Sequence, residues 1–475
     1  MAQNKTEKKV PVIVDGVHGC SAPETYVPPK EPAVQEHLKW FRGLKLGLMM
    51  HWSPGSQMGS FESWPLCDEA GEWSQADFRW TDPEEAKQQY ENMNKTFNPV
   101  KFRPDKWAKL ARECGFKYLL FTTKHHDGFC MFDTDTTNYK VTAEDCPFHT
   151  HKYADIVGNL YEAFRNEGLA ISVYFSKPDW HSEYYWAPQF GEHRSGAANY
   201  DAKEHPEVWE KFVQYTHRQI EELTSKYGKV DVLWLDGGVV RPDNKHMDIR
   251  LGEVVERIRA TTQPHLIVCD RTVGGEYENI ITPEQSIPSA MIPVPWESCL
   301  TVGGCFSFHY TDHPKSAREL VHTLIDVVAK GGNLALNITP QPDGELPAPA
   351  VESLLGLGEW LQVNGEGIYE TEVCAPYVST ARQGLAYTQK NGNIYVFYRY
   401  QERQHYRLPR YLFLEIEKPA VKITLLRNGQ ELAFVQENGR VKIDTEQISM
   451  LGVKYSDCFK VEFDSAAQAG NGGGQ

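Results

Sequence analysis

Apolar residues follow two regimes along the chain, and the change of period divides it. In the first regime, short continuous apolar runs alternate with segments whose apolar positions recur every three or four residues. The runs are Leu44 to Trp52 (LKLGLMMHW), Tyr118 to Lys124 (YLLFTTK), Leu169 to Ser176 (LAISVYFS), Val232 to Asp236 (VLWLD), His265 to Asp270 (HLIVCD), Val294 to Cys299 and Asn333 to Ile338 (NLALNI). Runs this apolar predict strands buried on both faces, as in a parallel sheet. The periodic segments predict helices at 104–115, 153–165, 205–226, 248–262, 316–330 and 351–363, after a first helical stretch from Gln35 through Leu38, Trp40 and Phe41. Pro104 near the start of one helix and Gly115 at its end are the expected punctuation. Strand-then-helix units, repeated about seven times over roughly 330 residues, predict a (β/α) TIM-like barrel rather than an open doubly wound sheet.

The flanks differ. Residues 1–34 are polar and proline-punctuated, which predicts an extended N-terminal arm ahead of a barrel spanning 35–366. Beyond that point the period falls to two, with runs such as Ile394 to Tyr398, Tyr411 to Ile416 and Val421 to Leu426. Turn signals separate them at Asn391-Gly392, Arg427-Asn428-Gly429 and Glu437-Asn438-Gly439. This pattern predicts a C-terminal antiparallel β-sandwich over 367–465. The tail 466–475, AAQAGNGGGQ, is disordered by composition.

Composition narrows the function. A content of 41% hydrophobic and 24% charged residues is that of an ordinary globular chain. The formal charge of −15 argues against a nucleic-acid or anionic-membrane partner and suits a neutral substrate. No stretch is apolar enough for a membrane span. The opening MAQNKTEKKV has no hydrophobic signal region, so the expected compartment is cytoplasmic, or secreted or periplasmic if a leader has been removed. Ten cysteines without a CxxC pair predict free, buried thiols. No phosphate-cradling glycine loop follows a strand, so nothing asks for a nucleotide or another organic cofactor.

Barrel chemistry sits at the C-terminal ends of strands. There the chain places His51, His125, His126, Tyr174, Asp179, Trp180, Asp236, Arg271, Glu297 and Asn337, with Glu284 on the segment beyond the fifth strand. The clearest case is KVDVLWLDGGV (229–239), where a carboxylate ends an apolar strand and two glycines open space above it. Two carboxylates with histidines, an arginine and aromatic rings suit a retaining glycosidase, in which one carboxylate attacks and the other moves the proton. The rival is a metal hydrolase using His51, His125, His126 and Asp236. Adjacent histidines in a strand point to opposite faces, and no HExxH occurs, so no metal is expected. His149 and His151 precede a helix and read as surface histidines, and Glu276 and Glu278 as solvated loop charges.

Seven segments carry a resemblance: WFRGLKLGLMMHW (40–52), TTKHHDGFCMFDT (122–134), YFSKPDWH (174–181), VLWLDGG (232–238), PWESC (295–299), VVAKGGNLALNITPQPDGELP (327–347) and LGLGEWLQVNGEGIYET (355–371). In order and content they resemble glycoside hydrolase family 29, the α-L-fucosidases. The resemblance implies an exo-acting retaining enzyme that releases terminal α-L-fucose from a fucosylated oligosaccharide or glycoconjugate. It places the nucleophile at Asp236 and the acid/base at Glu284, with Glu297 as the alternative. It assigns sugar binding to His51, His125, His126, Tyr174, Trp234 and Arg271. Trp64, Glu72 and Trp73 match the family's tryptophan-bearing loop, and Phe308 is a candidate aromatic wall. The family usually has His-Trp-Gly after the first strand, where this chain has His51-Trp52-Ser53-Pro54, so the linkage or a closely related sugar stays open. The alternatives are an α-L-galactosidase or related exo-glycosidase and, in another class, a fucose-binding protein without turnover.

Overall fold

The structure is a computed structural model. It describes residues 20–70, 82–191, 193–375, 379–380, 384–401 and 407–464. Seven parallel strands form the first sheet: β1 Leu46–Met50, β2 Tyr118–Lys124, β3 Ala170–Ser176, β4 Val232–Asp236, β5 Ile267–Asp270, β6 Glu297–Thr301 and β7 Asn333–Ile338, in the order β5-β4-β3-β2-β1-β7-β6. This is the curled parallel sheet that the alternating pattern predicts. β5 and β6 are its edges, and the irregular segment 278–285 bridges them. Glu278 pairs with Cys269 of β5, while Ile281 and Glu284 pair with Trp296 and with Cys299 of β6. A segment with one neighbour on each side therefore closes the ring without being a regular strand.

Strand period fills the ring from inside. Met49, Tyr118, Leu120, Tyr174, Val232, Trp234, Ile267 and Cys269 join one cluster with Val34, Leu38 and Phe41 of helix α1, Pro32–Leu44. These three helical positions, spaced by four and three, form one face, so α1 plugs the N-terminal end of the barrel. Gly47 in β1 lets the ring of Tyr118 pass close by, since a Cβ there would stand 2.1 Å from it. The other side of each strand packs into the larger core between the sheet and the outer helices.

Several boundaries differ from the sequence reading. α1 starts at Pro32 rather than Gln35, because proline serves at the first helical position. The sixth strand is Glu297–Thr301 rather than 294–299. Pro293 and Pro295 withhold backbone donors, so pairing starts only after them. Glu297 therefore opens its strand instead of ending it.

The second unit is antiparallel. Its strands include β8 Glu372–Val373, β9 Ser379–Thr380, β10 Leu385–Lys390, β11 Asn393–Arg399, β12 Tyr411–Glu415, β13 Ala420–Leu425, β14 Gln430–Glu431, β15 Phe434–Glu437, β16 Arg440–Asp444 and β17 Ser456–Phe463. One sheet runs β14-β13-β17-β11-β10-β8, with β9 paired to β10, and a three-stranded sheet runs β12-β16-β15. Within this unit β10 and β11 are joined by Asn391 and Gly392, and β15 and β16 by Asn438 and Gly439. All four turn residues have positive φ, which is the tight hairpin turn that Asn-Gly favours. Leu385, Val396, Leu412, Leu414, Ile423, Val441 and Phe459 make the core of this sandwich.

The sandwich docks on two barrel helices, Ala317–Ala329 and Ala348–Asn364. Trp360 Nε1 donates to the Ser456 carbonyl at 2.8 Å, and His322 Nε2 lies 2.9 Å from the Tyr455 carbonyl. All ten cysteines are free, nine of them buried. Among the described residues, no helix is long and apolar enough to cross a membrane.

Candidate active site

A cavity of about 470 Å³ opens at the C-terminal ends of the strands. Its wall includes His51, Trp64, His125, His126, Tyr174, Trp234, Asp236, Arg271 and Glu284. With Trp180, ten residues singled out from the sequence thus converge on one space. Glu72 and Trp73 lie outside the described residues.

Asp236 ends β4, and both of its oxygens are engaged. Tyr174 donates its hydroxyl to Oδ2 at 2.6 Å, Arg271 donates Nη1 to Oδ1 at 2.8 Å, and the Gly237 amide also donates to Oδ1 at 2.8 Å. Burial alone would raise the pKa of this carboxyl. The Arg271 guanidinium, His126 and these hydrogen bonds outweigh it and hold the carboxyl well below the usual range, so Asp236 is ionised. Gly237 takes φ +84°, and a Cβ there would stand 2.1 Å from the Pro178 ring.

Arg271 is shared. Its Nη2 donates to Glu284, its Nε donates to Thr282 Oγ1 at 3.2 Å, and its guanidinium lies 5.2 Å above the Trp234 ring. One planar fork therefore holds both carboxylates. Glu284 stays about one-third exposed, whereas Asp236 is half as open.

The histidines are fixed by short polar partners. The Asn337 side-chain oxygen accepts from the His51 amide at 3.1 Å and lies 2.9 Å from His51 Nδ1. That oxygen only accepts, so Nδ1 carries the proton and Nε2 is left as an acceptor for a hydroxyl. His125 and His126 hold Ser63 and Ser176 through their Nδ1 atoms. Burial lowers the pKa of His51 to about 4 and that of His126 to about 4, and depresses His125 as well. Three neutral imidazoles suit a neutral polyol.

Adjacent histidines were expected to face apart. Both line the cavity, with ring centroids 4.2 Å apart, because β2 ends at Lys124 and the strand alternation ends with it. His125, His126 and Asp236 offer atoms within 4.8 Å of one another, so metal ligation has to be considered. The donor set does not fit. The Arg271 guanidinium, buried and held by Asp236, Glu284 and Thr282, cannot withdraw and would repel a second cation.

Glu297, the alternative acid/base, is elsewhere. It is buried inside the barrel at the start of β6 and accepts from the Tyr118 hydroxyl. It does not border the cavity. Phe306, not Phe308, stands on the cavity wall, 5.0 Å from the His51 ring; Phe308 packs against Tyr310 beside a second hollow. Glu278 is not a solvated charge. It is buried and accepts from Ser21, the Thr272 amide and the Gly274 amide, which shapes the turn after Arg271. Asp179, also at a strand end, pairs with buried Lys124 at 3.0 Å and is structural.

Sequence reasoning missed Glu62. It lines the cavity from the loop after β1, and its Oε1 is buried without a hydrogen-bond partner. Burial, reinforced by the charges of Glu284 and Asp236, pushes its pKa up to about 8. The Trp180 indole nitrogen, on another lining residue, is also buried and unpartnered. A ligand rich in hydroxyls would satisfy both groups.

The chain is similar to known proteins in sequence and in fold. The family model described as alpha-L-fucosidase matches residues 17–366. The plasma alpha-L-fucosidase of Rattus norvegicus is 30% identical over 369 residues, covering 74% of each chain. Among solved structures, alpha-L-fucosidase isoenzyme 1 from Paenibacillus thiaminolyticus superposes with a TM-score of 0.75 at 27% identity, covering 91% of this chain and 100% of its own. The Thermotoga maritima alpha-fucosidase in complex with a mechanism-based inhibitor gives 0.71 at 25% identity, covering 93% and 98%.

Proposed function

Because the chain belongs to the α-L-fucosidase family, glycoside hydrolase family 29, we propose that it is an exo-acting retaining α-L-fucosidase with Asp236 as nucleophile and Glu284 as acid/base. The observation that carries the roles is the shared Arg271 fork. Asp236 is deep, ionised and aimed by Tyr174, as an attacking carboxylate must be. Glu284 is the more exposed partner, at the side where a leaving group departs. One guanidinium binding both keeps them close, as in retaining pairs, whose carboxyls stand about 5–5.5 Å apart. Inverting pairs, about 6.5–9.5 Å apart, leave room for a water between them.

In the first step an Asp236 oxygen bonds C1 of fucose from the β face. The C1–O bond to the aglycone breaks, and the departing oxygen takes the Glu284 proton. In the second step Glu284, now a carboxylate, takes a proton from water. The water oxygen bonds C1 on the α face, and Asp236 leaves as a carboxylate. His51, His125 and His126 bind hydroxyls as neutral imidazoles, and protonated Glu62 offers one more donor. Met49, Cys299 and Phe306 supply apolar wall where a 6-methyl group needs no hydrogen bond. No step requires a metal or an organic cofactor. The substrate class is a terminal α-L-fucoside on an oligosaccharide or glycoconjugate.

The test is hydrolysis of an aryl α-L-fucoside with azide. Asp236→Ala should be inactive, and azide should restore turnover with formation of the β-L-fucosyl azide. Glu284→Ala should be rescued to the α-azide, because there azide intercepts the fucosyl-enzyme. Rescue of Glu297→Ala instead of Glu284→Ala would reassign the acid/base.

A further inference from the structure

The opposite end of the barrel holds a second cluster of ligating side chains. Asp231 immediately precedes β4, His265 stands two residues before β5, and His37 lies on α1. Five residues at about 3.3 Å each put roughly 16 Å between Asp231 and Asp236, so this cluster is remote from the chemistry. We propose that His37, Asp231 and His265 form a binding site for a divalent transition-metal ion of the zinc class, which staples α1 to the first residues of β4 and β5.

The geometry supports this in three ways. First, the three side chains offer ligand atoms that all lie within 4.8 Å of one another. Donors at about 2.0–2.2 Å from a tetrahedral zinc stand roughly 3.3–3.5 Å apart, so a small rotation of one imidazole is enough to close the set. His37 Nε2 is already 2.9 Å from Asp231 Oδ1. An ion would take the place of the proton that this pair shares.

Second, the cluster contains an unexplained atom. His265 Nε2 is buried and has no hydrogen-bond partner. That leaves Nε2 as a nitrogen open to a ligand. The rings of His37 and His265 stand 4.5 Å apart, edge to face.

Third, the carboxylate is aimed. Asp231 Oδ2 accepts from the Ile171 amide at 2.9 Å, which fixes Oδ1 toward the histidines. The fourth position of a tetrahedral ion would go to water, on the side where Lys229 reaches in. Lys229 is the resident competitor, with its ammonium 2.7 Å from Asp231 Oδ1. Its side chain is half exposed and already lies over the Trp40 ring, so it can withdraw. Two imidazoles and one carboxylate fit zinc or cobalt and are a poor set for calcium or magnesium, which prefer oxygen donors.

The experiment uses the full chain, stripped with chelator and titrated with Co²⁺ and then Zn²⁺, reading the visible cobalt absorption, the stoichiometry and the thermal midpoint. The expected result is one ion per chain, a tetrahedral cobalt band, a raised midpoint and unchanged hydrolysis of an aryl α-L-fucoside. Lys229→Gln should bind roughly tenfold more tightly, and His37→Gln with His265→Gln should lose more than about 100-fold. Absence of a stoichiometric ion in both wild type and Lys229→Gln overturns the proposal, and Lys229→Gln leaves the barrel core untouched. So does binding that persists in the double variant and inhibits hydrolysis, which would place the ion on His125, His126 and Asp236.

Discussion

Arg271 joins more of the site than any other side chain, because its fork holds Asp236 and Glu284 while its face covers Trp234. Lysine carries the charge but not the fork. Arg271→Lys should therefore lower kcat/KM by roughly 10²–10³ while the fold survives, as steady-state kinetics beside a melting curve would show. Glu62 gives the pH prediction. Its carboxyl, raised to about 8, is neutral below that pH and ionises above it, adding a second negative charge to the cavity beside Asp236. The kcat/KM of the wild type should fall as pH rises through about 8, and Glu62→Gln, which cannot ionise, should lack that part of the decline. An identical alkaline limb in both proteins would remove Glu62 from the account. His51 and His126, neutral above about 4, should set no limit in that window. At this scale the sequence was most legible where a polar residue ends an apolar strand, as at His51, Tyr174 and Asp236. Glu62 and Phe306 sit on loops without period, so nothing in their spacing distinguished them from Glu72 or Phe308.

Elements place these residues through backbone fit. Gly237→Ala would have to hold φ +84° and push Pro178 aside, just where Asp236 is aimed. A loss of about 1–3 kcal/mol by chemical denaturation, with a fall in kcat, is the expected result. Gly47→Ala acts from the barrel interior, where a methyl meets the Tyr118 ring. Overpacking there should cost roughly 1–3 kcal/mol and disturb Glu297 through its Tyr118 bond. Strands and helices were readable because their periods are regular. The segment 278–285 was not, because it bonds to β5 on one side and β6 on the other with no repeating pattern, yet it carries Glu284. The position of Glu297 was misjudged by one element boundary, since prolines 293 and 295 delay the start of β6.

On the scale of the whole molecule, the catalytic cavity is lined, among the described residues, by positions up to Phe306, and none of those comes from the sandwich. The sandwich instead covers barrel helices through contacts such as Trp360 to Ser456. Trp360→Phe leaves a buried carbonyl without its donor, so it should lower stability by about 1–3 kcal/mol and leave KM for an aryl fucoside unchanged. The two-part architecture was legible from the switch of period near residue 367. The closing of the ring by an irregular segment and the plugging of its far end by α1 depend on tertiary fit, which no local pattern encodes. Retaining hydrolysis at this site requires Asp236 to form a covalent bond to fucose. Its most direct test is the mass of the protein quenched with an activated 2-deoxy-2-fluoro-α-L-fucoside, followed by peptide mapping. One added fluorofucosyl group is expected on the peptide that contains Asp236, and none in Asp236→Ala. An adduct on Glu284 or Glu62, or turnover of α-L-fucosides with inverted product and no adduct, would contradict it.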